Sequence, residues 1–190
     1  MKAVFVAMFL VGLVAAGIGA GTWAYFSDTE TSSGNYIAAG TLDLKLGDGE
    51  STWYDDPNIP DYTVSDVYPG WGDWLDFYAK NFGSISGDLY MKVTYTERGG
   101  DNPEAEGSPD DAVLDDNLYV AVYVDGTLLN NQTLSWWASQ GYYSLGSLTA
   151  GSMAHIKIEV YIPTTVGNEI QGDTVTIDVE FKLMQNGYSP

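Results

Sequence analysis

"AHIKIEVYI" (Ala154–Ile162) and "TVTIDVEFKL" (Thr174–Leu183) decide the fold of this chain. In the first, Ala154, Ile156, Ile158, Val160 and Ile162 alternate with His155, Lys157, Glu159 and Tyr161. In the second, Val175, Ile177, Val179, Phe181 and Leu183 alternate with polar neighbours. A period of two puts each apolar set on one face, as in a half-buried antiparallel strand. Working outward, "LYMKVTYT" turns Leu89, Met91, Val93 and Tyr95 inward, and "TLDLKL" aligns Leu42, Leu44 and Leu46. "LYVAVYVDGTLL" is nearly continuously apolar and turns at Asp125-Gly126, a dipeptide suited to a two-residue hairpin. Helical signal is slight: "PDDAVLDDN" and "LSWWASQ" each have room for a turn or two. Short strands punctuated by Gly, Pro, Asn and Asp imply an all-β, antiparallel, jelly-roll-like β-sandwich over residues 38–190. Two long acidic insertions, Gly47–Asp76 and Arg98–Asp116, interrupt it, and loops of that length are usually functional or mobile.

Charge restricts the function classes. The 190 residues carry 26 acids against 7 Lys plus Arg, a formal net charge of −19. No basic residue lies between Lys45 and Lys80, or between Arg98 and Lys157. Such a field repels phosphate backbones, so no nucleic-acid partner is expected, and it attracts cations. There is no cysteine, which removes disulfides, thiolate metal sites and cysteine nucleophiles.

At the N-terminus, Lys2 precedes an apolar run from Ala3 to Gly21, long enough to cross a bilayer. Its end, "AAGIGAGTWA", turns small and Gly-rich, and Thr22-Trp23-Ala24 fits the small-x-small rule of signal peptidase. Residues 1–24 read as a signal peptide cut between Ala24 and Tyr25; a retained signal anchor is the alternative. Both readings export everything after Tyr25 to the exterior or cell surface, with membrane contact only through the uncleaved precursor. Residues 25–37 then form an extended N-terminal arm, apolar at Tyr25 and Phe26 and again at Tyr36 and Ile37.

Three blocks resemble one family. "GTWAYFSDTETSSGNYIAAGTLDL" resembles the N-terminus of the TasA/camelysin family, "PGWGDW…AKNFGSISGDLYMKV" its central Asn-x-Gly-Ser turn and strand, and "GNEIQGDTVTIDVEFKLMQ" its closing strand. The resemblance implies an exported protein with a jelly-roll-like sandwich, cut after Ala24. It also implies a homopolymer, an extracellular filament or biofilm-matrix fibre, in which one subunit's arm adds as a strand to the next subunit's sheet. Tyr25, Phe26, Tyr36 and Ile37 are then the donor-strand residues, and the free arm reaches roughly 40 Å when extended. An open sheet edge offers main-chain partners for such an arm, and head-to-tail contacts that do not close make filaments. Camelysin-type members imply a rival, a surface metallopeptidase.

The residues argue against that rival. A zinc protease needs two or three His or carboxylate ligands on a rigid element, typically H-E-x-x-H. The single histidine, His155, sits on the solvent side of an expected strand. There is no G-x-S-x-G elbow, and adjacent acids such as Asp55/Asp56 in Pro/Gly-rich loops are usually solvated or cation-bound. No catalytic residue and no required cofactor is expected. Calcium is the metal the composition allows. Asp101, Glu104, Glu106, Asp110 and Asp111 offer an irregular oxygen cage, and Asp48, Glu50, Asp55 and Asp56 a second, although no EF-hand loop is present. The aromatics Trp53, Tyr54, Trp71, Trp74, Trp136, Trp137, Tyr142 and Tyr143 offer a glycan platform, an interface or core. If the last two pairs lie on strands, one member of each points outward. Asn131-Gln132-Thr133 is an N-x-[ST] sequon, a candidate glycosylation site on an exported chain. A monomeric calcium- or glycan-binding surface protein is therefore the third reading.

Overall fold

A computed structural model describes residues 40–49, 51–55, 61–99, 112–188 and 190. The signal segment, the arm, the Ala24/Tyr25 cleavage position and the cage Asp101, Glu104, Glu106, Asp110 and Asp111 lie outside these residues, as do Glu50 and Asp56. The chain divides into two units at Ala39/Gly40, and the fold below belongs to the second.

The strands are β1 (Leu44–Gly47), β2 (Trp53–Tyr54), β3 (Tyr62–Val64), β4 (Gly72–Asn81), β5 (Gly87–Arg98), β6 (Tyr119–Val124), β7 (Thr127–Thr133), β8 (Tyr142–Leu148), β9 (Met153–Tyr161) and β10 (Thr174–Gln185). Two short helices, α1 (Leu114–Asn117) and α2 (Leu134–Ser139), and a 3-10 turn at Asn168–Ile170 complete it. One sheet has the order β2-β1-β4-β9-β6-β7, the other β3-β10-β5-β8, and the pairings described are all antiparallel. Only β1–β2 and β6–β7 are hairpins within a sheet; every other connection passes between sheets. The result is the expected all-β antiparallel sandwich.

The alternation sets the core. Ile156, Ile158, Val160, Val175, Ile177 and Val179 are buried, with Phe181 and Leu183 half-buried against them. Asp125 and Gly126 both adopt positive φ (50° and 78°), which tightens the β6–β7 hairpin in the sense that matches strand twist.

One expectation fails. Gly47–Asp76 is not a continuous insertion, because β4 begins at Gly72 and β2 and β3 lie within it. Leu75, Phe77 and Ala79 face inward from β4, Trp74 and Asp76 face out, and Asp73, on the inward side, lies at the exposed start of the strand. The Trp, Asp and Gly residues give this segment the composition of a loop, but Trp74 and Asp76 fall on the solvent face and Asp73 at the open end of the strand.

Asn81, fully buried at the end of β4, organises the turn into β5. Its Nδ2 donates to the carbonyls of Ile85 (2.8 Å) and Leu148 (3.2 Å), and its Oδ1 accepts from Gly83 N–H at 2.9 Å. A Cβ on Gly83 would meet Thr41 O at 2.2 Å, so this Asn-x-Gly turn needs glycine for close approach.

The outer faces carry an unusual cation arrangement. Lys157 lies 4.3 Å from the Trp74 ring centroid, Lys80 4.7 Å from Phe82, Lys45 5.5 Å from Phe82, and Lys182 and Lys92 lie 5.1 and 5.6 Å from Tyr142. Lys45 also reaches Asp55 at 2.8 Å, the one Lys–carboxylate ion pair among the described residues. Ammonium groups on ring faces gain about 0.5–1 kcal/mol each at exposed sites.

Candidate functional site

Among the described residues, both sheets leave backbone unpaired on one side of the sandwich. β1 pairs with β4 only over Tyr78–Asn81, so among the described residues nothing pairs with Gly72–Phe77 on the side away from β9. In the facing sheet, β3 pairs with β10 only over Val175–Ile177, leaving Asp178–Gln185 without a described partner on that side. Between these two free edges lies a cavity of about 200 Å³ lined by Asp61, Tyr62, Leu75, Asp76, Phe77, Ile177 and Val179. Phe77 and Phe181 meet from opposite sheets beside it, ring centroids 5.3 Å apart. Apolar side chains next to unpaired main chain are the two things an incoming strand needs.

Tyr62 ties the two sheets together at this cleft. Its hydroxyl, on β3, donates to Asp73 Oδ2 on β4 at 2.5 Å, and Trp74 N–H donates to Asp73 Oδ1 at 2.8 Å. These bonds hold the Asp73 carboxyl below its usual range, the Tyr62 contribution being the larger. Burial, then the bond to Asp73, pushes the Tyr62 phenol above its ordinary value.

The sequence reading does not find the cleft, because Leu75 falls within the stretch Gly47–Asp76, Phe77 lies just beyond it in no expected strand, and free edges are invisible before strand order is known. The alternation Leu75-Phe77-Ala79 against Trp74-Asp76-Tyr78-Lys80 was the available signal.

A second carboxylate group surrounds α1. Tyr95 OH donates to Asp115, Asp115 N–H donates to Glu97 Oε1 at 3.0 Å, and Val113 N–H donates to Asp173 Oδ2 at 3.0 Å. These oxygens accept from backbone N–H groups at the start of a short helix, an ordinary capping role. Glu97 is raised above its usual pKa, first by burial and then by the Asp115 and Asp173 charges, against the lowering backbone bonds. A carboxyl with a raised folded pKa disfavours the fold above that pKa and is neutral in effect below its unfolded value near 4.3. Glu97→Gln is therefore expected to raise the urea midpoint at pH 7, with the gain vanishing as pH falls below about 4. A gain that grows on acidification would overturn the assignment.

The remaining sequence candidates are dispersed. His155 is on the outer face as expected, stacked on Tyr78 at 4.3 Å with Nε2 2.8 Å from Asp76 Oδ1. Asp55 pairs with Lys45, and Asp48 Oδ1 accepts from Ser51 and Thr52 N–H at 3.1 Å each, closing a turn. Among the described residues, no three His, Cys, Asp or Glu side chains come together to hold a metal ion, so the donors a zinc site requires are not assembled there.

Trp136 and Trp137 sit on α2 rather than on a strand, because Thr133 caps that helix by accepting from Trp136 N–H at 3.3 Å. Trp137 is buried and donates from Nε1 to Val120 O at 2.8 Å. Of the second pair, Tyr143 packs on Trp137 at 4.9 Å while Tyr142 points out and donates to Glu180 at 2.6 Å. Trp74 remains 43% exposed and Tyr54 54% exposed; Trp53 packs edge-on against Phe82 at 5.7 Å, and Trp71 packs against the core. Asn131 is exposed on β7, within a strand rather than in a loop, and donates from Nδ2 to Tyr161 OH at 2.8 Å.

No helix among the described residues is long and apolar enough to cross a membrane. Residues 2–107 match the model of a family described as Camelysin metallo-endopeptidase, which covers more than half of the chain. No curated protein matches the sequence.

Proposed function

The chain belongs to the camelysin family, and from that membership and the open cleft we propose an exported structural subunit of an extracellular filament or matrix fibre. After cleavage before Tyr25, the freed arm of one subunit adds as a strand in the cleft of the next. The observation that carries this reading is the coincidence of two strand edges without a partner among the described residues, Gly72–Phe77 and Asp178–Gln185, with a largely apolar cavity between them. The cavity has room for an aromatic side chain, and Tyr25, Phe26 and Tyr36 supply three on the arm. The partner is a second copy of the same chain, and each subunit both donates and accepts, a head-to-tail contact that runs on as a filament where its rotation does not close a ring. Calcium at the acidic loops would lower repulsion between subunits but is not required by the strand contact.

The experiment is assembly of the purified protein beginning at Tyr25, viewed by negative-stain microscopy with and without calcium. Filaments support the reading; a persistent monomer at high concentration in both conditions overturns it.

The family's description names a metallo-endopeptidase. With one histidine and no cysteine in the chain, and no ligand group assembled among the described residues, casein is expected to survive incubation with the purified protein. Cleavage that a chelator abolishes and zinc restores would revive the peptidase reading.

A further inference from the structure

From Gly126 to Ala154 the sequence has no Asp, Glu, Lys or Arg, in a chain of formal net charge −19. The topology gives this stretch a definite place. It contains β7, the outermost strand of the six-stranded sheet, and β8, the outermost strand of the four-stranded sheet. These ends lie opposite the cleft, since β3 and the β2-β1 pair end the two sheets on the other side. One side of the sandwich thus carries two strand edges built from chain with no formal charge of its own; the charges nearest them are Asp125 at the β6–β7 turn, Asp116 at Ser135, and Glu180, Lys92 and Lys182 at Tyr142 on the face of β8.

Edge strands are ordinarily blunted by charge, proline or a bulge. β8 has such a bulge, where its register against β5 shifts between Leu89 and Tyr90 and Gly146 takes φ 111°. β7, "TLLNNQT", has neither charge nor proline. Its own irregularity, where Asn130 pairs with Val122 but Leu128 with Tyr123, leaves Leu129 as the extra residue. Leu128 and Leu129 are 49% and 38% exposed, and Met153 on the same uncharged stretch is 43% exposed.

We propose that this side is a docking surface for a second copy of the chain, β7 against β7 in antiparallel register, extending the six-stranded sheet across two molecules. The charge distribution selects that occupant. A basic partner would be drawn to the acidic surfaces and gain nothing here. Two copies of this chain repel through those same surfaces, and a β7–β7 contact is one in which the paired strands carry no charge of their own. A two-fold contact of one strand with itself is self-complementary and closes at two copies. It therefore leaves the arm and cleft free and is independent of the proposed strand donation.

The test uses the full mature chain and the variants Leu128→Lys and Leu129→Lys, each of which places like charges against one another across the two-fold axis. Tyr68→Lys, at a residue 63% exposed and away from this side, is the control. If the chain forms filaments, microscopy should show wild-type filaments adhering side by side, with both Leu variants forming single filaments of normal length. If it forms none, strand donation fails, and sedimentation velocity should still show a dimer whose dissociation constant rises roughly tenfold or more in the Leu variants. Thermal midpoints matching wild type exclude misfolding. The proposal is overturned if wild-type copies do not associate laterally, if both folded Leu variants associate as wild type does, or if Tyr68→Lys weakens association equally.

Discussion

Mature protein lacking Tyr25–Gly34 is expected to be a folded, soluble chain that forms no filaments. The energetics of an added strand explain why the loss should be complete. Each main-chain hydrogen bond made to a free edge nets roughly 0.5–1.5 kcal/mol. Ordering the backbone of the arm costs roughly 1–2 kcal/mol per residue. For the polar stretch between the two apolar ends these nearly cancel, so burial of the rings decides the outcome, at about 1.5–3 kcal/mol for a Phe-sized side chain. Tyr25→Ser combined with Phe26→Ser should accordingly weaken assembly sharply while leaving the main chain able to pair. The sandwich itself should survive, because its core of Ile156, Ile158, Val160, Val175 and Ile177 lies within Gly40–Pro190. Electron microscopy and sedimentation check both halves. Normal filaments from the deleted chain would show that the arm is only a tail.

The largest effect on folding is expected at Trp137. This side chain is 1% exposed, meets Tyr143 and Trp136 edge-on, and bonds to Val120 O. It joins α2 to β6 and lies in the cluster with Leu114 and Leu134, which the two helices contribute, and Leu118, which follows α1. Trp137→Ala should cost about 3–5 kcal/mol, from lost burial and an incompletely collapsed cavity, together with the orphaned Val120 carbonyl. Against a typical total of about 5–15 kcal/mol that is a large fraction. Urea denaturation should show a much lower midpoint with an unchanged slope. A midpoint within the error of wild type would mean that the helices do not contribute to the cooperative core.

The strands with regular alternation were legible residue by residue: β5, β9 and β10 have a polar face in water and an apolar one in the core. The β6–β7 hairpin was legible too, because Asp-Gly tolerates the left-handed backbone its turn demands. β4 was not legible as far as Asp76. Its outer face carries Trp74 and Asp76, and its inward side opens with the exposed Asp73; side chains alone do not tell such strand positions from a loop. The cleft was less accessible still. It is defined by where β1 and β3 stop along their neighbours, which depends on strand order, and that order involves contacts remote in sequence. For Trp136 and Trp137 the helix alternative was visible in "LSWWASQ", and the deciding residue, Thr133 as cap, was also the last residue of the sequon.

The lysines over aromatic rings make ionic strength act on this molecule in one direction. At about 0.15 M salt, charges further apart than about 8 Å are largely screened from one another. An ammonium 4.3 Å from the Trp74 ring, or 4.7 Å from Phe82, sits inside that distance and needs no counter-charge that salt could replace. Repulsion between two chains of charge −19 acts at longer range and is what salt removes. Concentrating the medium should therefore bring copies together while the cation-bearing faces of each sandwich hold, so that a brine which loosens proteins braced by surface ion pairs would favour association of this one.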